Sequence, residues 1–191
     1  MSALWHLAGS LLARFVRAER GVAAIEFALI LPFMLVVYIG SMEASTLISM
    51  DRKVQSVAGT IGDLVARADK NLTNTQIQDY FRAASGIMTP YAPDPVLQVV
   101  TAVNVDGNGR ATVAWSRQYQ NGIYSAITPH AANNPYPLPA EMIAISKGRT
   151  VIVGEATYAF TPLFGMVFNQ PVNLYRSSFY LPRFGGSIAV N

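Results

Sequence analysis

Residues 21–42 read Gly21-Val22-Ala23-Ala24-Ile25-Glu26-Phe27-Ala28-Leu29-Ile30-Leu31-Pro32-Phe33-Met34-Leu35-Val36-Val37-Tyr38-Ile39-Gly40-Ser41-Met42, an apolar run whose single charge is Glu26. At about 1.5 Å rise per residue, a helix from Val22 to Met42 covers roughly the 30 Å hydrocarbon core of a bilayer. Pro32 argues against an uninterrupted buried helix in water but is tolerated in lipid. Arg14, Arg17 and Arg20 precede the run, whereas Glu43 and the mixed Asp51, Arg52 and Lys53 follow it. By the positive-inside bias this predicts one span, with a cytoplasmic N-terminus and the bulk of the chain outside the cytoplasm. A carboxylate within a span costs about 2.5 to 3.5 kcal/mol on the lenient insertion scale, so Glu26 needs either a partner or the nearby headgroups.

The spacing of Gly21, Val22 and Glu26 resembles a type IV prepilin processing site: a basic leader ending in Gly, a cut, and Glu at the fifth mature position. With Ala28-Leu29-Ile30-Leu31-Pro32 behind it, the segment resembles the TadE-like family of the tight-adherence (Flp-type, or Tad) pilus system. Val22 stands where pilins more often carry Phe or Met. Three later stretches carry the resemblance onward: the hairpin from Asp106-Gly107-Asn108-Gly109-Arg110 to Trp115-Ser116, Tyr158-Ala159-Phe160-Thr161-Pro162-Leu163-Phe164-Gly165, and Leu181-Pro182-Arg183.

The resemblance implies a pilin-like α+β fold, a long N-terminal helix packed on a small, mostly antiparallel sheet. It implies a minor pseudopilin or assembly component, cut between Gly21 and Val22 by a prepilin peptidase. Its partners would be the membrane, other pilins or pseudopilins and the Tad assembly platform. In the family's logic Glu26 pairs with the freed α-amino group of Val22 on a neighbouring subunit. The implied place is the bacterial inner membrane, single-pass, with the head in the periplasm or incorporated into a pilus. The alternative is an uncleaved single-pass envelope protein whose head binds another pilus or cell-envelope component. A secretory signal peptide fits less well, because the basic residues stand between a weak apolar stretch and the strong one.

The 191 residues allow a leader (1–21), a span (22–42) and one head (43–191). Apolar residues make up 51% and charged ones 13%, which suits a tethered protein. Cutting after Gly21 would lower Lys+Arg from 14 to 11 and Asp+Glu from 11 to 10, leaving a net +1. That balance leaves no basic stripe for nucleic acid. Cysteine is absent, which removes thiol catalysis, disulfides and thiolate metal sites.

In the leader, Leu4, Leu7, Leu11 and Phe15 have the spacing of an amphipathic interfacial helix. Beyond the span, Leu47, Met50, Val54, Val57, Ile61, Leu64 and Ala68 recur in a 3-4 alternation, predicting that the helix continues to Lys70, a length of about 73 Å. A second helix is predicted over 75–85, capped by Thr75 with Gln78 three residues on. Strands are predicted at 96–105, 110–119, 150–160 and 173–181. Leu97, Val99, Thr101, Val103 and Val105 are placed on one face of the first, and Ala111, Val113, Trp115 and Tyr119 on one face of the second. Trp115 is expected to anchor the core between sheet and helix. Residues 120–147 read as a long loop. Glu155, Pro162 and the β-branched alternation favour a strand over a second span at 151–168. Leu163, Phe164, Met166 and Phe168 form a candidate apolar contact patch.

No catalytic constellation, metal site or small-molecule site is expected, and no cofactor. Of the two histidines, His6 lies in the leader, and His130, beside Pro129, reads as a solvated loop residue. Asp106-Gly107-Asn108-Gly109 starts like a calcium loop, but Arg117 occupies the twelfth position, so a hairpin turn accounts for it. Asn71-Leu72-Thr73 matches a glycosylation sequon. Gly59-Thr60-Ile61-Gly62 lacks the Lys and Ser/Thr of a phosphate loop, and helix packing explains it better. A tethered periplasmic enzyme is therefore disfavoured.

Overall fold

The computed structural model describes residues 21–162, 165 and 169–191. Helix α1, Val22–Ala66, runs unbroken through Pro32, Gly40, Gly59 and Gly62. At the standard rise its 45 residues extend about 67 Å. It ends at Ala66, short of the predicted Lys70, because a tertiary contact closes it: the Arg183 amide donates to the Ala66 carbonyl at 2.9 Å. Lys70 then turns the chain with φ of 55° into the short strand β1, Asn71–Leu72.

Helix α2 spans Asn74–Ser85 and is capped by Thr73, two residues before the predicted Thr75. The capping box exists with Gln76: Thr73 Oγ1 accepts from the Gln76 amide at 3.2 Å, and Gln76 Oε1 accepts from the Thr73 amide at 2.9 Å. Thr73 takes this role because it leaves β1 in extended backbone, which a cap requires.

The sheet contains β2 (Leu97–Val105), β3 (Ala111–Gln120), β4 (Ile123–Ser125), β5 (Thr150–Phe160) and β6 (Val172–Tyr180) in the order β4-β3-β2-β5-β6. Every neighbouring pair in it is antiparallel. A separate parallel pair joins β1 to β7, Ala189–Val190. The fold is α+β, a long helix packed on an antiparallel sheet.

Helix α1 lies across β5 and β6. Met50, Val54, Val57, Ile61 and Val65 form its buried stripe and meet Ile77 and Phe81 of α2 and Val100, Ile152 and Ala156 of the sheet. Its closest approach is glycine on glycine. A methyl group on Gly154 of β5 would come within 2.2 Å of the Ala58 carbonyl oxygen and 2.8 Å of the Gly62 amide nitrogen. Gly62 in turn leaves room for the Tyr180 ring, 2.8 Å from where its Cβ would sit.

The other face of the sheet has its own core. Val103, Val105, Val113, Val151 and Val153 are covered by Tyr136, Leu138, Met142 and Ile143. This divides the residues expected to share one face of β3. Ala102 pairs with Trp115 and Val103 with Val113, so Ala114 is an extra residue. Such a bulge reverses the alternation: Ala111 and Val113 join the outer core, while Trp115 and Tyr119 pack on the α1 side. The 120–147 region is more ordered than a loop. Asn121 and Gly122, with φ of 51° and 76°, make the hairpin turn into β4, and Ala140–Ser146 form helix α3.

Candidate functional site

Along α1 every residue from Val22 to Tyr38 is exposed, and the first fully buried side chain is Glu43, at 3% exposure. Phe33 is 74% exposed, Leu29 67% and Ile25 64%. Fully burying one such side chain is worth about 1.5 to 3 kcal/mol, so this half of the helix needs lipid or neighbouring apolar helices around it. By length and composition it is apolar enough to cross a membrane. Pro32 lacks the amide that would otherwise close on the Ala28 carbonyl, yet the helix continues through it.

Gly21 is the N-cap and Val22 the first helical residue. Glu26 is exposed one turn further on, four residues from Val22 and on the same face. The structure therefore brings Gly21, Val22 and Glu26 to one end of an unpacked apolar rod. Trp115 sits far from them in the chain's layout, in the head: it is half-buried, packs on the α1-side core and donates from Nε1 to the Ile188 carbonyl at 2.6 Å. That bond holds the approach to β7. The patch Leu163, Phe164, Met166 and Phe168 and the leader 1–20, including the expected interfacial helix and His6, lie outside the described residues. Between the patch residues, the Gly165 amide donates to Glu43 Oε1 at 2.8 Å. Glu43, read from the sequence as a flanking charge, thus marks the switch from exposed to packed helix.

A second constellation escaped the sequence reading. Glu155 of β5 is 5% exposed in the outer face of the sheet. The Tyr175 hydroxyl donates to its Oε1 at 2.6 Å. His130 Nε2 lies 2.8 Å from Oε2, an ion-pair distance without hydrogen-bond alignment, and Oε2 has no hydrogen-bond partner among the described residues. His130 also meets the Tyr136 ring edge-on at 4.9 Å between centroids. His130 is therefore packed on a buried carboxylate, its side chain only 24% exposed. Burial, and then the Glu155 carboxylate, pushes the Tyr175 hydroxyl up to about 12. Burial followed by the Glu155 charge raises Tyr136 as well. These groups strap the segment after β4 onto the sheet. The sequence offered only that Glu155 interrupts an apolar run and that the β-branched alternation around it favours a strand; nothing in it pointed to His130, Tyr136 or Tyr175.

At the far end of α1, Asp63 is bound by Arg67 and by Arg183, the latter at 2.7 Å. The Arg67 guanidinium, assisted by Arg183 and only partly opposed by burial, holds the Asp63 carboxyl below its usual value. Among the described residues no group of three or more His, Asp or Glu side chains is arranged to hold a metal ion.

No curated protein and no solved structure matches the chain. One family model does, that of TadE-like protein, and the residues it covers are 21–61. These are the N-cap, the exposed apolar half and most of the packed half of α1, so the similarity to TadE-like protein lies in this helix and does not extend over the sheet of the head.

Proposed function

We propose that the protein is a structural component of a Tad (Flp-type) pilus or related secretion system, a minor pseudopilin anchored in the bacterial inner membrane with its head in the periplasm. The observation that carries this reading is the division of α1, whose exposed apolar half begins at Gly21 and whose packed half belongs to the head. The match of the same segment to TadE-like protein supports it. The work of such a protein is assembly and not catalysis: residues from Val22 exchange lipid for the apolar segments of neighbouring subunits. Cleavage after Gly21 frees the Val22 amino group, which pairs with Glu26 of a neighbour as both are desolvated. Removing one side of such a buried pair costs about 3 to 5 kcal/mol.

The test is the intact mass or N-terminal sequence of the protein from native membranes, with and without the prepilin peptidase. A peptidase-dependent start at Val22 is expected. An unprocessed start in both strains would overturn the pseudopilin reading in favour of a fixed single-pass anchor whose head meets another pilus or envelope component.

A further inference from the structure

The end of the head farthest from residues 22–42 gathers the close of α1, the 106–110 turn, the turn after α3 and the 181–187 loop. Arg183 is tied there to Ala66 and Asp63, Arg149 to Val105 through its carbonyl, and the Lys147 side chain stands beside Gly109. Six cations result: Arg67, Lys70, Arg110, Lys147, Arg149 and Arg183. Of the four acids nearby, Asp63 is held by two arginines, and Asp106 Oδ1 is occupied by the amides of Asn108 and Arg110. Asp69 and Glu141 complete the set, so this end carries a net +2 and the rest of residues 22–191 a net −1.

Two adjoining clefts of about 280 and 380 Å³ open there, sharing Arg149, Thr150 and Gly186. The Arg149 side chain is exposed and has no hydrogen-bond or ion-pair partner among the described residues. The Thr150 hydroxyl donates to Asn104 Oδ1 at 2.8 Å, and both residues line the first cleft. Leu181 and Pro182 give the second cleft an apolar wall, and Phe184, 68% exposed, stands beside it.

We infer that this distal cleft docks an acidic peptide segment of a partner protein. Arg149 offers a planar fork that fits a carboxylate bidentately, and the surrounding cations draw the segment in. The apolar wall and Phe184 favour a peptide over an anionic glycan, since a glycan would use the charge and leave Leu181, Pro182 and Phe184 idle. The inference gives the head a contact of stated chemistry and does not depend on cleavage after Gly21.

The experiment uses the full chain in non-ionic detergent and a fluorescein-labelled peptide of glutamates around a single phenylalanine, read by anisotropy at low salt. Saturable binding is expected, weakened about tenfold by Arg149→Gln, weakened by Phe184→Ser, and unchanged by the double variant Arg52→Gln, Arg82→Gln on other parts of the head. Absence of saturable binding would overturn the inference. So would equal losses from the Arg52/Arg82 variant, or competition by a sulfated polysaccharide as effective as that of the peptide. The N-terminal mass measurement reads a different property, so either idea can fail while the other stands.

Discussion

Gly154 shows how a single hydrogen atom can decide where a helix lies. Its missing Cβ lets the Ala58–Gly62 backbone of α1 rest directly on β5. Gly154→Ala forces a backbone shift and is expected to destabilise the head by about 3 kcal/mol or more. Gly107→Ala, in open space at a turn, serves as the control and is expected to change little. Urea unfolding in detergent, followed by circular dichroism, measures both. Glu155 sets a second residue-scale demand. Tyr175→Phe removes the donor to a buried carboxylate oxygen and is expected to cost about 1 to 3 kcal/mol. It also has a pH signature. Because the folded-state value of Tyr175 lies above its ordinary 10, its contribution is fully present below pH 10 and is lost as pH rises through about 12. The wild type should therefore lose stability over that window more steeply than Tyr175→Phe, and equal slopes would count against the strap.

At the scale of elements, α1 has two halves with different needs. Nothing among the described residues covers the first half, and Glu26 stands at its start. Glu26→Ala is expected to leave membrane insertion and head folding intact while abolishing incorporation into pili, checked by membrane fractionation and by immunoblotting of sheared filaments; normal piliation would sink the pairing role. The helical, apolar character of residues 22–42 and the 3-4 stripe beyond it were legible in the sequence because each is a simple pattern sustained over many residues. The bulge at Ala114 was not, since one inserted residue shifts the pattern without altering its composition, and so Trp115 and Tyr119 changed faces. The helix cap moved from Thr75 to Thr73 because β1 pairs with β7, residues more than a hundred positions away. Asn121-Gly122 carried a readable hairpin signal that the surrounding prolines, glycines and asparagines obscured. His130 and Glu155 met only because the segment between β4 and α3 folds back over the sheet, a long-range closure that no local pattern encodes.

Over the whole molecule, the apolar and basic surfaces sit at opposite ends of one axis. The chain closes on itself just past the end of α1: Ala189–Val190 pairs with Asn71–Leu72, and the Asn74 amide donates to the Asn191 carbonyl at 3.2 Å. The pocketed, charged end is thus built from segments drawn from across the head, whereas among the described residues the apolar end is a single helix. The absence of any break in α1 between Ser41 and Glu43 also has a rotational meaning. A continuous helix fixes azimuth: whichever side of residues 22–38 faces its neighbours dictates the compass direction in which the head and its cleft point. One alanine inserted after Ser41 should swing the head by about 100° for a rise of only 1.5 Å, while four alanines should swing it by about 40° for a rise of about 6 Å. If heading matters more than height, piliation will survive the longer insertion better than the shorter one; the reverse order would mean that the joint behaves as a spacer and carries no bearing.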